Sequence, residues 1–111
     1  MVEEIGPEEV AALLDGVNGG RRKAVLLDVR EPWERAHARI EPSLHIPMND
    51  VPDRVEELPR DQPLIVYCHH GGRSEAVAGF LESQGFARVI NLRGGIDAWS
   101  VTVDPAVPRY G

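Results

Sequence analysis

The sequence predicts an α/β domain built on a mainly parallel sheet, and three observations carry that expectation. Short, largely apolar runs at residues 24–29, 64–68 and 88–92 read as strands buried on both faces. Around them, apolar residues recur at helical spacing. The two patterns alternate with no repeat, low-complexity tract or linker between them, as layered α/β architectures require.

Taken in order, Pro7 with the acids Glu8 and Glu9 opens a helix predicted over residues 7–15, with Val10, Leu13 and Leu14 at helical spacing and Gly16 ending it. Gly19 and Gly20, followed by Arg21, Arg22 and Lys23, predict an exposed turn. The strand at 24–29 places Asp28 near its carboxyl end. Pro32 and Glu34 favour a short helix, Ile46 and Pro47 a brief extended piece, and residues 51–58 another short helix closed by Pro59. The clearest unit is a buried strand at 64–68, then a loop, then a helix over 74–84. Val77, Phe80, Leu81 and Gln84 would share its buried face, and Gly85 stands where a C-terminal cap belongs. After the strand at 88–92, Gly94 and Gly95 lead into a short helix over 96–99. The tail, residues 101–111, contains Pro105 and Pro108 and is expected to be extended.

A chain of 111 residues suits one domain, 1–111, with a single core. With 42% hydrophobic and 27% charged residues, its composition is that of a folded globular protein. Twelve basic against 18 acidic side chains give a net charge of -6, which predicts neither nucleic acid nor an anionic membrane as partner. Any anionic substrate must therefore be attracted by local groups. Residues 1–6 contain two glutamates and no basic, apolar leader pattern, and no long apolar run occurs, so a cytoplasmic location is expected. The one cysteine, Cys68, cannot form an internal disulfide, which suits a reducing compartment.

A cysteine ending a buried strand is often an inert core residue. The residues immediately after Cys68 argue for chemistry instead. In open α/β sheets, ligands bind beyond the carboxyl ends of strands. The two glycines after His69 and His70 permit positive φ angles, so backbone N–H groups can turn inward around an anion, and the next helix points its positive end the same way. Such surroundings favour a thiolate, the nucleophilic form of cysteine. Depressing a thiol pKa by about two units needs about 2.7 kcal/mol. Two charge-assisted hydrogen bonds of roughly 1.5 to 3 kcal/mol each suffice. Arg73, and His69 or His70 when protonated, would add positive potential. Metal binding by Cys68, His69 and His70 is disfavoured, because three consecutive side chains do not readily converge on one ion and no paired-ligand spacing is present.

The loop Cys68-His69-His70-Gly71-Gly72-Arg73-Ser74 resembles the active-site signature of the rhodanese superfamily. The segments Leu27-Asp28-Val29-Arg30-Glu31 and Asn91-Leu92-Arg93-Gly94-Gly95-Ile96-Asp97-Ala98-Trp99 resemble two further motifs of that family, in the right order and across most of the chain. The resemblance implies a three-layer α/β/α domain with a five-stranded sheet. It also implies Cys68 as nucleophile, with His69, His70, Gly71, Gly72, Arg73 and Ser74 as the substrate- or anion-binding loop, and no metal or organic cofactor. Asp28 and Arg30 would support the site by charge pairing, the alternative being a solvated salt bridge of little weight. His37, His45, Trp33 and Trp99 are expected to be loop or packing residues.

The implied activity is sulfur transfer from a small anion such as thiosulfate, through a Cys68 persulfide, to cyanide, a small thiol or a protein acceptor. The tail resembles those of rhodanese domains fused behind adenylating enzymes that activate sulfur-carrier proteins, which adds such a carrier as a possible partner. Two rivals stand beside it. Dual-specificity phosphatases of the cell-cycle type resemble this pattern but place five residues between cysteine and arginine, whereas four separate Cys68 from Arg73. A non-catalytic interaction module is the other.

Overall fold

The computed structural model describes residues 2–15 and 24–111. The expected helix stop at Gly16 and the turn at residues 19–23 lie outside the described residues. Five strands, β1 (Glu3–Ile5), β2 (Val25–Asp28), β3 (Leu44–His45), β4 (Leu64–Tyr67) and β5 (Val89–Leu92), form one sheet in the order β1-β5-β4-β2-β3. All four pairings are parallel. The three apolar runs thus become the inner strands, where burial on both faces explains their unbroken hydrophobicity. The edge strands escaped the sequence reading because β1 and β3 are only three and two residues long and carry exposed positions.

The helices are α1 (Pro7–Asp15), α2 (Pro32–His37), α3 (Val51–Arg54), α4 (Gly72–Ser83) and α5 (Gly95–Thr102). Strand alternation sorts the core into two layers. Ile65 and Tyr67 of β4 face Val10 and Leu14 of α1 and Ile96 and Trp99 of α5. Leu64 and Val66 face Val51 of α3 and Val77, Ala78 and Leu81 of α4. The arrangement is therefore the three-layer α/β/α sandwich.

Several boundaries differ from expectation. Helix α4 begins at Gly72 rather than at residue 74, and Gln84 is exposed while Ser74 and Ala78 take buried positions. Gly85 does terminate it, with its N–H donating to Glu82 O at 3.1 Å. The segment expected as one helix over 51–58 is α3 flanked by single 3₁₀ turns at Met48–Asp50 and Val55–Glu57. Helix α5 extends through Thr102, so the first two residues of the tail are helical; its closing hydrogen bond, Val103 N–H to Trp99 O at 2.8 Å, carries the winding past residue 99. Trp33 is 63% exposed and lies at the surface, where its ring meets Tyr110 edge-on, whereas Trp99 is buried in the core. No described helix is long and apolar enough to cross a membrane.

Candidate active site

Cys68 directly follows β4, the middle strand of the sheet, and continues the parity of Leu64 and Val66, so its side chain points toward α4. It is 1% exposed. The chain then turns through Gly71, whose φ of 112° lies in the left-handed region that costs other residues about 1 to 2 kcal/mol. Gly72 does not share this role, since it already begins α4. The turn brings two backbone donors onto the sulfur: Gly71 N–H at 3.1 Å and Ser74 N–H at 3.4 Å from Sγ. The Ser74 hydroxyl also lies 3.4 Å from Sγ.

That hydroxyl has one proton and three acceptors within reach: Cys68 Sγ, Gly71 O at 3.2 Å and Asn91 Oδ1 at 2.5 Å. The shortest contact takes it. The orientation of the Asn91 amide is fixed independently, because its Nδ2 donates to Glu4 Oε2 at 2.9 Å and Gly71 O at 3.1 Å, and both can only accept. Asn91 therefore holds the loop from behind. A polar residue inside the apolar run of β5 was the available signal. The same face is closed by α5, whose Ile96 and Asp97 N–H groups donate to the carbonyls of Cys68 and His69 at 2.9 and 3.1 Å. These bonds use the free donors of a helix N-terminus to fix the carbonyls that flank the nucleophile.

On the opposite side Arg73 donates from Nη1 and Nη2 to Glu34 of α2, at 2.7 and 2.8 Å. Glu34 is buried, and its carboxyl is held down to about 2, first by the Arg73 pair against the opposing effect of burial, then by Glu31 N–H and the Tyr110 hydroxyl. Arg73 is correspondingly raised, mainly by Glu34, and its charge still reaches Cys68 through space. Its two hydrogen bonds to Glu34 anchor the loop to α2. Behind this pair, Asp28 and Arg30 are wholly buried, with Arg30 Nε and Nη2 each 2.8 Å from an Asp28 oxygen. This is no solvated bridge. Burial depresses Arg30, but Asp28 and Tyr110 together raise it. Arg30 reaches the site only indirectly, donating to Tyr110 Oη, Glu34 O and Ala38 O. Its own carbonyl can only accept, so the His45 ring, with Nε2 at 2.8 Å, is the donor to it.

Among the described residues the hydrogen bonds to the sulfur come from Gly71 and Ser74 and not from the loop histidines. Burial lowers His69, and a charge on His70 would lower it further, so the surroundings of this ring disfavour the protonated form that would add positive potential. It is stacked between His70 and Tyr110, with centroids 3.9 Å away on each side. His70 is mostly exposed and lies 3.8 Å from Asp97. His69, His70 and Asp97 together could offer three metal-ligand atoms within 4.8 Å of one another. The rings are stacked only 26° from parallel, however, so their lone pairs run side by side instead of converging, and Asp97 is already held by Arg109 at 2.9 and 3.1 Å.

The fold and site define a class: a parallel α/β domain whose middle strand delivers one cysteine into a short loop of inward-turned N–H groups. The family model of the rhodanese-like domain matches residues 7–102. The chain belongs to the rhodanese-like sulfurtransferase family. A sulfurtransferase of Allochromatium vinosum is 39% identical over 111 residues, 100% of both chains. The thiosulfate sulfurtransferase GlpE of Pseudomonas syringae is 35% identical over 100 residues, 90% of this chain and 89% of that protein. The crystal structure of a rhodanese-related protein from Thermoplasma volcanium is similar with a TM-score of 0.82 at 29% identity, covering 97% of this chain and 99% of that one.

Proposed function

We propose that this protein moves sulfane sulfur from a small anionic donor such as thiosulfate to a thiophilic acceptor, through a persulfide on Cys68. The observation that carries the proposal is the pair of backbone N–H groups, from Gly71 and Ser74, directed at Cys68 Sγ. They suit a thiolate before the reaction and the terminal sulfur anion after it.

The cycle is a double displacement. The Cys68 thiolate attacks the outer sulfur of thiosulfate, the S–S bond of the donor breaks, and sulfite leaves with the electron pair. An acceptor nucleophile then attacks the terminal sulfur of the persulfide, and Cys68 departs as thiolate. With cyanide the product is thiocyanate; a small thiol or the terminus of a sulfur-carrier protein would accept in the same way. No step requires a metal or an organic cofactor. The four-residue spacing between Cys68 and Arg73 supports sulfane sulfur over a phosphate ester. A single free cysteine suits a reducing setting such as the cytoplasm.

The test is intact-protein mass spectrometry after thiosulfate treatment. One added sulfur atom is expected for the wild type and none for Cys68→Ala. No gain with any sulfane donor would overturn the proposal.

A further inference from the structure

Tyr110 is the residue with the most unexplained contacts. Its hydroxyl accepts from Arg30 Nη1 at 2.9 Å and lies 2.7 Å from Glu34 Oε2. Arg30 can only donate and the ionised Glu34 can only accept, so the phenolic proton is assigned to Glu34. The Tyr110 ring lies face to face with His69, 3.9 Å between centroids and 11° between planes. It meets Trp33 and His37 edge-on, at 5.9 and 5.5 Å.

Glu34 is thereby saturated. Oε1 accepts from Arg73 Nη1 and Glu31 N–H, while Oε2 accepts from Arg73 Nη2 and Tyr110. With two donors on each oxygen the carboxylate has one orientation, and that orientation sets where the Arg73 fork can stand. Tyr110 also covers one face of His69, the residue that directly follows the nucleophile. The tail thus grips the loop at both ends.

Resting on the sulfurtransferase reading, we propose that Tyr110 is a positioning residue for sulfur transfer, holding the Cys68 loop through the Glu34–Arg73 pair and through the ring of His69. The phenol serves as a constant donor: burial first, and the neighbouring Glu34 charge, push it up to about 12 against the opposing pull of Arg30, so it keeps its proton across neutral pH.

The test compares Tyr110→Phe and Tyr110→Ala with wild type in two measurements. One is the single-turnover rate of persulfide formation against thiosulfate concentration, and the other is the titration of the His69 ring by NMR. Tyr110→Phe keeps the stack and loses the hydroxyl. Its maximal rate is expected to fall about tenfold, the scale of one lost hydrogen bond to a charged group, with little change in the half-saturating concentration. Tyr110→Ala is expected to lose as much rate and also to raise the His69 midpoint toward its ordinary value as one face opens to water. The other groups facing that ring are His70, Asp97 and Glu34. A folded Tyr110→Phe with wild-type single-turnover kinetics, or one altered only in half-saturation, overturns the proposal. So does a Tyr110→Ala ring titration identical to wild type. Failure of the wild type itself to gain sulfur would instead overturn the sulfurtransferase reading, leaving the grip on His69 measurable by its titration.

Discussion

Arg73 donates both of its terminal nitrogens to Glu34, at 2.7 and 2.8 Å, so the arginine of the loop is fastened to helix α2. Its guanidinium fork matches the carboxylate in a way that an ammonium cannot. Arg73→Lys preserves charge and loses the parallel pair. If the residue served chiefly to attract the donor, lysine would serve nearly as well. Anchoring predicts instead that the rate of persulfide formation falls about tenfold in Arg73→Lys. Arg73→Ala leaves the buried Glu34 carboxylate without its main partner and should destabilise the fold by about 3 kcal/mol in urea titrations.

Glu34 makes the same anchor sensitive to acid. Its folded value, about 2, lies below the ordinary 4.5, so folding favours the charged form. The stabilisation is fully present above the ordinary value and disappears as pH falls toward the folded one. It amounts to at most about 3 kcal/mol. Glu34→Gln has no such group to titrate. The stability gap between wild type and Glu34→Gln, measured by urea unfolding at a series of pH values, should be widest near neutrality and shrink from about pH 5 down to about pH 2. A gap that stays constant over that range would contradict the assignment.

How much of this was legible in the sequence depends on how local each signal is. Cys68 and its loop could be read because strand, turn and helix are consecutive, and a buried strand followed by glycines is a pattern within a few residues. Asp28 and Arg30 were legible as a pair only through the family resemblance, and their complete burial was not. Glu34 was visible only as a helix-favouring acid, because its burial depends on Arg73, 39 positions away. Tyr110 reaches Arg30 across 80 positions, and nothing near it in the chain announces that contact. Which loop histidine could carry charge was equally beyond the sequence: stacking against Tyr110 and His70 buries the His69 ring and disfavours its protonated form, a contact that only the folded chain creates.

Ser74 and Asn91 support the loop from the sheet side, and their substitutions separate two effects. In Ser74→Ala the buried Asn91 Oδ1 loses its donor, which should cost about 2 kcal/mol, while the Ser74 N–H to Cys68 Sγ remains. Persulfide should still form, more slowly. Asn91→Asp is expected to be worse, because an oxygen would replace the Nδ2 that now donates to Gly71 O and Glu4 Oε2, setting acceptor against acceptor. Urea unfolding of both variants, with the rate of thiosulfate-dependent mass gain, gives the order directly. Equal behaviour would mean that the amide orientation has no part in holding the loop.

Gly95 is where the loop and α5 meet most closely. Its φ is 63°, and a Cβ there would lie 2.5 Å from Cys68 O and against the carbonyl of His69. Both oxygens accept from the first turn of α5, so neither can retreat without breaking a helix-capping bond next to the nucleophile. Backbone strain and overlap therefore act together, and Gly95→Ala should lose about 3 kcal/mol or more of stability along with most of the sulfur-transfer rate. Gly72→Ala is the matched control from the other side of Cys68. A Cβ at Gly72 meets nothing within 4 Å, and the residue is already helical, so alanine should be neutral or stabilising by up to about 1 kcal/mol. Thermal unfolding of the two variants in parallel distinguishes a glycine required by close packing from one that is merely adjacent to the site, and comparable melting points would show that α5 does not press on the loop.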